Sequence, residues 1–212
     1  MKIVKIEVPE NIISDVEKQL EGVKGKTKTK VLKTAVNNTA KKAQRLLAEK
    51  TAKTYVGKHT RRNAVVRNSV IKKGTAESPT SEIGFASPMM EIKDYHVSSL
   101  AISKTFYTKS GKRSKKTLKG KVLNGGAKKL EHAFVVQFKN GHVSVVSRVP
   151  GVNAKQYAGK PNKPHYEKLK KLLSPSISIA VGGDRVYGQS QKEIEEILLE
   201  EVNKTMKKVL GE

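Results

Sequence analysis

Apolar and small residues recur every three or four positions between Lys26 and about Tyr55: Val31, Leu32, Ala35, Val36, Thr39, Ala40, Ala43, Leu46 and Leu47. Such spacing puts them on one stripe of a long helix, with lysines and Arg45 on the opposite face and Gly57 ending the element. A second stripe closes the chain through Ile194, Ile197, Leu198, Val202, Met206, Val209 and Leu210. Ser190 and Glu193 stand before it in the S-x-x-E spacing of a capping box, so the closing helix is expected to start there.

Between the helices the period shortens to two. KIVKIEV alternates up to Pro9 and predicts a short edge strand or extended arm, followed by a brief helix. AVVRNSVI and TSEIGFA predict two strands separated by the loop KKGTAESP, with Pro79 and Pro88 as punctuation. In Ala133 to Gly151, AFVVQFKNGHVSVVSRVPG, Phe134, Val136 and Phe138 alternate with Val135 and Gln137, and Val143 and Val145 share a face after the turn. Asn140-Gly141 is a favoured two-residue hairpin turn, because both residues tolerate positive φ. Phe134 and Phe138 are expected to face the core, and Arg148 to tie the strand end to a carboxylate or a backbone carbonyl. A Pro/Gly-rich connector follows, and then LKKLLSPSISIAVGG, where Pro175 breaks the short helix that the leucines begin. The expected class is α+β: a central antiparallel sheet with a long N-terminal helix and a C-terminal amphipathic helix, packed on the sheet or on a neighbouring subunit. Residues 1–25 form a strand or arm and a short helix. Residues 26–212 form a single α+β domain with a flexible basic insertion at about 104–121, since ten of the 26 residues from Lys104 to Lys129 are Lys or Arg and none is acidic.

Composition changes the picture through charge. The 212 residues suffice for a real core, burying roughly 70% of the surface the unfolded chain exposes. Yet 43 Lys and Arg face 19 Asp and Glu, leaving a formal net charge of +24. That surplus repels itself unless something anionic is near: nucleic acid, an acidic membrane, or the acidic face of a protein. No apolar run approaches the ~20 residues of a membrane span, and none follows the first lysines as a signal peptide would, so no membrane contact is expected. The absence of cysteine excludes disulfides and thiolate metal sites and fits a reducing cytoplasm.

The sequence offers little catalytic chemistry. His59, His96, His132, His142 and His165 are scattered without metal-ligand spacing. His132 and His142 flank the hairpin and read as two partly exposed histidines near a turn, with a metal between them as the alternative. Glu193, Glu195, Glu196, Glu200 and Glu201 suit the N-terminal half of the closing helix and pair with later lysines such as Lys204, as a solvated face. Gly125-Gly126 and Gly182-Gly183 lack phosphate-loop frameworks, so no cofactor and no enzyme activity are expected. Arg61, Arg62, Lys112, Arg113, Lys115 and Lys116 are the candidate polyanion contacts. Such residues neutralise phosphates without reading sequence, and there are few aromatics to stack bases.

Ala133-Phe134, Asn140-Gly141, Arg148 with Gly151, and Pro175-Ser176 before an amphipathic helix together resemble the minor tail protein Z family of tailed bacteriophages and prophages. The basic helix AVNNTAKKAQRLLAEKTA upstream is compatible with it. The resemblance implies a non-enzymatic virion component of the minor tail or tail completion type, at the neck or tail end, assembled in the bacterial host cytoplasm. It further implies a homo-oligomeric ring whose partners are other tail or connector proteins. The basic surface would then meet acidic proteins or, non-specifically, DNA. A stand-alone basic nucleic-acid-binding protein is the alternative.

Overall fold

The computed structural model describes residues 2–20, 25–100, 118–153 and 167–211, which form two compact units. The first takes in Met1–Tyr55, His59–Pro88 and Ser176–Glu212, and the second Val56–Lys58 and Met89–Pro175. In the first lie β1 (Lys2–Ile6), α1 (Glu10–Gln19), α2 (Gly25–Thr54), α3 (Arg62–Arg67), β2 (Ser69–Lys72), β3 (Ser81–Phe85), α4 (Ile177–Gly182) and α5 (Gln191–Leu210). The second contains β4 (Met90–Glu91), β5 (His96–Val97), β6 (Leu118–Lys121), β7 (Lys128–Leu130), β8 (Ala133–Gln137), β9 (Val143–Asn153), β10 (Glu167–Lys171) and β11 (Leu173–Ser174). The chain is α+β as expected, and its antiparallel strands are distributed over four small sheets among the described residues. Of the expected basic insertion, Leu118–Lys121 is strand β6, and 104–117 lies outside the described residues.

Helix α2 is the spine of the first unit. Every position of its predicted stripe is buried except Leu46, which is half-buried. Each large side chain sealed in this way, Leu47 for example, contributes about 1.5–3 kcal/mol. Thr39 and Thr51 are buried too, and their hydroxyls donate to the carbonyls of Ala35 and Leu47, one turn back, at 2.8 and 2.6 Å.

Helix α5 lies antiparallel against α2. Lys50 pairs with Glu193 at one end, while Asn38 and Lys42 reach Glu201 further along. Its stripe is buried at Ile194, Leu198, Val202 and Met206, whereas Val209 and Leu210 at its end are exposed. The predicted capping box does not form. Ser190 stands at the N-cap, but its hydroxyl donates to the Val186 carbonyl at 2.6 Å, inside the turn that leads into the helix, and Glu193 is taken by Lys50. Nor is the acidic face wholly solvated, because Glu201 is only 4% exposed. Its carboxylate accepts from Asn38 Nδ2 and Lys42 Nζ, both at 2.9 Å. Burial pushes the Glu201 carboxyl up, but the bonds from Lys42 and Asn38 and the nearby charge of Lys204 outweigh it and hold the group below its ordinary value.

The sheet of this unit runs β1-β3-β2, all antiparallel, with Val4 opposite Ile83 and Ile83 opposite Ile71. Val4, Ile6, Ile83 and Phe85 face the core, while Ile3 and Val70 point outward. Strand β2 is shorter than predicted. Ala64 to Val66 belong to α3, a single turn whose Val65 is buried, and Asn68 stops it by turning its amide onto the Ala64 carbonyl at 2.8 Å. The leucines before Pro175 also depart from expectation. They lie in β10 and β11, and the helix begins after the proline, where Ser176 caps α4 by accepting from the Ile179 N–H at 3.3 Å.

Asn37, next to the Glu201 ligand Asn38, clamps the loop between β2 and β3. Its Oδ1 accepts from the Gly74 N–H at 2.9 Å and from the Ser81 hydroxyl at 2.7 Å. A Cβ at Gly74 would stand 3.0 Å from the backbone N and O of Thr80, and neither atom can swing away. Gly74→Ala should therefore cost about 1–3 kcal/mol through overpacking, lowering Tm by about 2–4 °C per kcal/mol. An unchanged thermal melt would show that the loop yields freely.

Candidate functional site

The densest polar constellation in the second unit is built on the hairpin of β8 and β9. The strands pair from Ala133 opposite Ser147 to Gln137 opposite Val143. Phe138 N–H then donates to the His142 carbonyl and Gly141 N–H to the Phe138 carbonyl, both at 2.9 Å. The loop is thus three residues, Lys139 to Gly141, and not the expected two. Only Gly141 adopts positive φ, at 80°, as the bulge residue that follows a tight turn. Asn140 instead accepts from the His142 N–H with its side chain, at 3.1 Å.

This register sets which residues share a face, and both faces are covered in part, since Val146 and Ser144 on the Phe134 side are buried as well. Val135 and Val145 stand opposite each other and pack with Ile92 in the core of the unit. Phe134 and Phe138 lie on the other face and are half-buried, against expectation. Arg148 is exposed and makes no ion pair among the described residues. Its guanidinium lies 5.1 Å from the centre of the Phe134 ring, a cation–π contact rather than the expected polar tie. Gly151 continues β9, and Pro175 offers its carbonyl to the Tyr95 hydroxyl at 2.7 Å.

On the Phe134 face sits Glu91, which sequence reasoning passed over. Strand β4 carries it opposite Leu173 of β11, and its own N–H donates to Asp94 at 3.1 Å at the start of a tight turn. One carboxylate oxygen accepts from Ser144 Oγ at 2.5 Å, the other from His142 Nε2 at 2.8 Å and Lys171 Nζ at 3.1 Å. Lys93 Nζ is 3.7 Å away and donates to the Val143 carbonyl at 2.6 Å. The Glu91 side chain is 15% exposed. Burial would raise its carboxyl, but the hydrogen bonds from Ser144, His142 and Lys171, with the charge of Lys93, more than offset this and hold it at about 2. A lone glutamate in PMMEIKD gives no local signal, because its partners lie about fifty to eighty residues away. His142 belongs to this network and not to a metal shared with His132. Among the described residues no three His, Asp or Glu side chains are grouped as metal ligands. A carboxylate held ionised and saturated with donors is a poor general base and a good structural tie.

Of the candidate polyanion contacts, Arg61 and Arg62 lie among the described residues. Arg61 is exposed at the start of α3, and Arg62 pairs with Glu49 at 3.1 Å on the surface. Lys112, Arg113, Lys115 and Lys116 lie outside the described residues. No helix among the described residues is long and apolar enough to cross a membrane.

A family model described as Prophage minor tail protein Z (GPZ) matches residues 13–212. No curated protein and no solved structure matches the chain.

Two substitutions test the hairpin. The depressed Glu91 carboxyl makes its stabilising effect complete above the ordinary value of 4.5 and lost as pH falls through about 2. Glu91→Gln should cost on the order of 2–3 kcal/mol in urea unfolding at neutral pH, with the gap to the parent closing between those two values. A gap independent of pH would mean that the carboxylate charge contributes nothing. Arg148→Ala should lose no more than about 1 kcal/mol, the scale of an exposed cation–π contact. A larger loss would point to an anchored arginine.

Proposed function

The chain belongs to the prophage minor tail protein Z family, and from that membership we propose that it is a ring subunit of the tail completion type, working at the neck or tail end of a phage tail or tail-like particle. The observation that carries the reading is the span of the match, residues 13–212 of 212, which takes in both folding units. A minor tail protein is a structural part of its particle, and we assign it no catalytic step. Closed rings of one subunit are built from head-to-tail contacts, so each copy must present two different surfaces. Assembly would take place in the cytoplasm of the bacterial host, before the particle is released.

The physical features fit this role. Glu91, the most elaborate polar centre, is turned to holding strands together. The surplus of positive charge suits a subunit that docks on acidic neighbours. The same surplus favours the second reading, a stand-alone nucleic-acid-binding protein, because it would bind any duplex at low salt.

Electron microscopy of the purified protein, alone and with the products of its flanking genes at moderate salt, separates the two. Rings, or incorporation into tail assemblies, are the expected outcome. A monomer that joins no assembly and binds duplex with sub-micromolar affinity surviving physiological salt would overturn the tail reading.

A further inference from the structure

The first unit carries a basic groove that the family membership does not assign. It opens between α2 and α5, has a volume of about 290 Å³, and is lined by Lys41, Lys42 and Arg45 from one helix and Lys204 and Lys208 from the other. Lys42 is committed to Glu201, whose bond raises the Lys42 ammonium. The other four are exposed and make no ion pair among the described residues. The groove thus presents a surplus of positive charge along both walls, over a floor whose carboxylate, Glu201, is already bonded to Lys42.

We propose that this groove receives an acidic helix of a neighbouring protein in the particle. The spacing points to a helix. Lys41 and Arg45 are four residues apart, as are Lys204 and Lys208, so each wall repeats its charge at about 6 Å along the helix axis. A partner helix with carboxylates four residues apart has the same rise and can meet both rows at once. A third helix can lie along the seam of a packed helix pair at the usual interaxial distance of about 8–10 Å. Nucleic acid fits less well. Single strands are held largely by stacking, and no aromatic residue lines this groove among the described residues. The lysine stems offer apolar contact to a helix flank while their heads reach its carboxylates.

The inference rests on the tail reading only for the presence of the partner. Binding is measured on the isolated full chain, so its failure is distinct from a failure to enter particles. The probe is a fluorescent peptide of Glu-Ala-Ala-Ala repeats about 20 residues long, beside an isomer with its glutamates in one block and a DNA duplex of about 20 base pairs. At physiological ionic strength the repeat peptide should bind, and better than its isomer. Arg45→Glu with Lys204→Glu should weaken it about tenfold or more, as should Lys41→Glu with Lys208→Glu. Lys168→Glu with Lys170→Glu changes the charge equally on exposed β10 and should have little effect. No binding, equal binding of the isomer, or equal loss from all three pairs would overturn the proposal. So would a duplex that binds more tightly than the peptide and responds to the groove pairs, which would make the groove a nucleic-acid site.

Discussion

A carboxylate buried among lysines is the interaction on which each folding unit depends. In the first unit Glu201 joins α5 to α2 through Lys42 and Asn38. In the second, Glu91 joins β4 to β9 and β10 through Ser144, His142 and Lys171. With 43 cationic side chains and only 19 acidic ones, carboxylates are the scarce partner, and these two are withdrawn from solvent. Taking a charge out of water costs several kcal/mol, and the cost is offset only when nearly every acceptor position is filled. Both groups meet that condition with neutral donors as well as cations, so each fixes geometry as well as charge. Asn37 extends the pattern, for the helix turn that presents Asn38 to Glu201 also clamps the Gly74 loop.

The sequence reveals the long helices and the hairpin because their signals are local. Val31 to Leu47 and Ile194 to Met206 repeat at helical spacing, and burial follows the stripe. The burial of the hairpin was not legible, because both of its faces are apolar and both are covered in part: Val135 and Val145 are buried on one, and Val146 and Ser144 on the other, beside half-buried Phe134. Ile92, forty residues upstream of the hairpin, covers the Val135 face, while Glu91 beside it bonds to Ser144 on the Phe134 face. Ala64 to Val66 read as strand because they are rich in β-branched residues, yet Asn68 and the burial of Val65 make one turn of helix there. Leu169 and Leu173 read as helix beside lysines, while pairing with β9 and β4 makes them strand. Ser190 has the right spacing for a capping box, but its backbone is helical rather than extended, and its hydroxyl turns back to donate to the Val186 carbonyl.

The residues that carry the family likeness turn out to be architectural in several different ways. Asn140 and Gly141 shape a bulged turn, Arg148 covers an aromatic ring, and Ser176 starts a helix. None of these roles depends on a neighbouring catalytic group. Each of these residues maintains the form of the subunit.

The small sheets have one further consequence. Among the described residues each has margins with no paired strand, and a flat row of unpaired N–H and C=O groups invites another strand. Several of those margins carry lysine: Lys5 on β1, Lys72 on β2, Lys128 and Lys129 on β7, Lys168 and Lys170 on β10, all exposed. Two such margins brought together would stack like charges along their length. Positive charge along a margin thus opposes edge-to-edge pairing of two copies as well as attracting anionic partners.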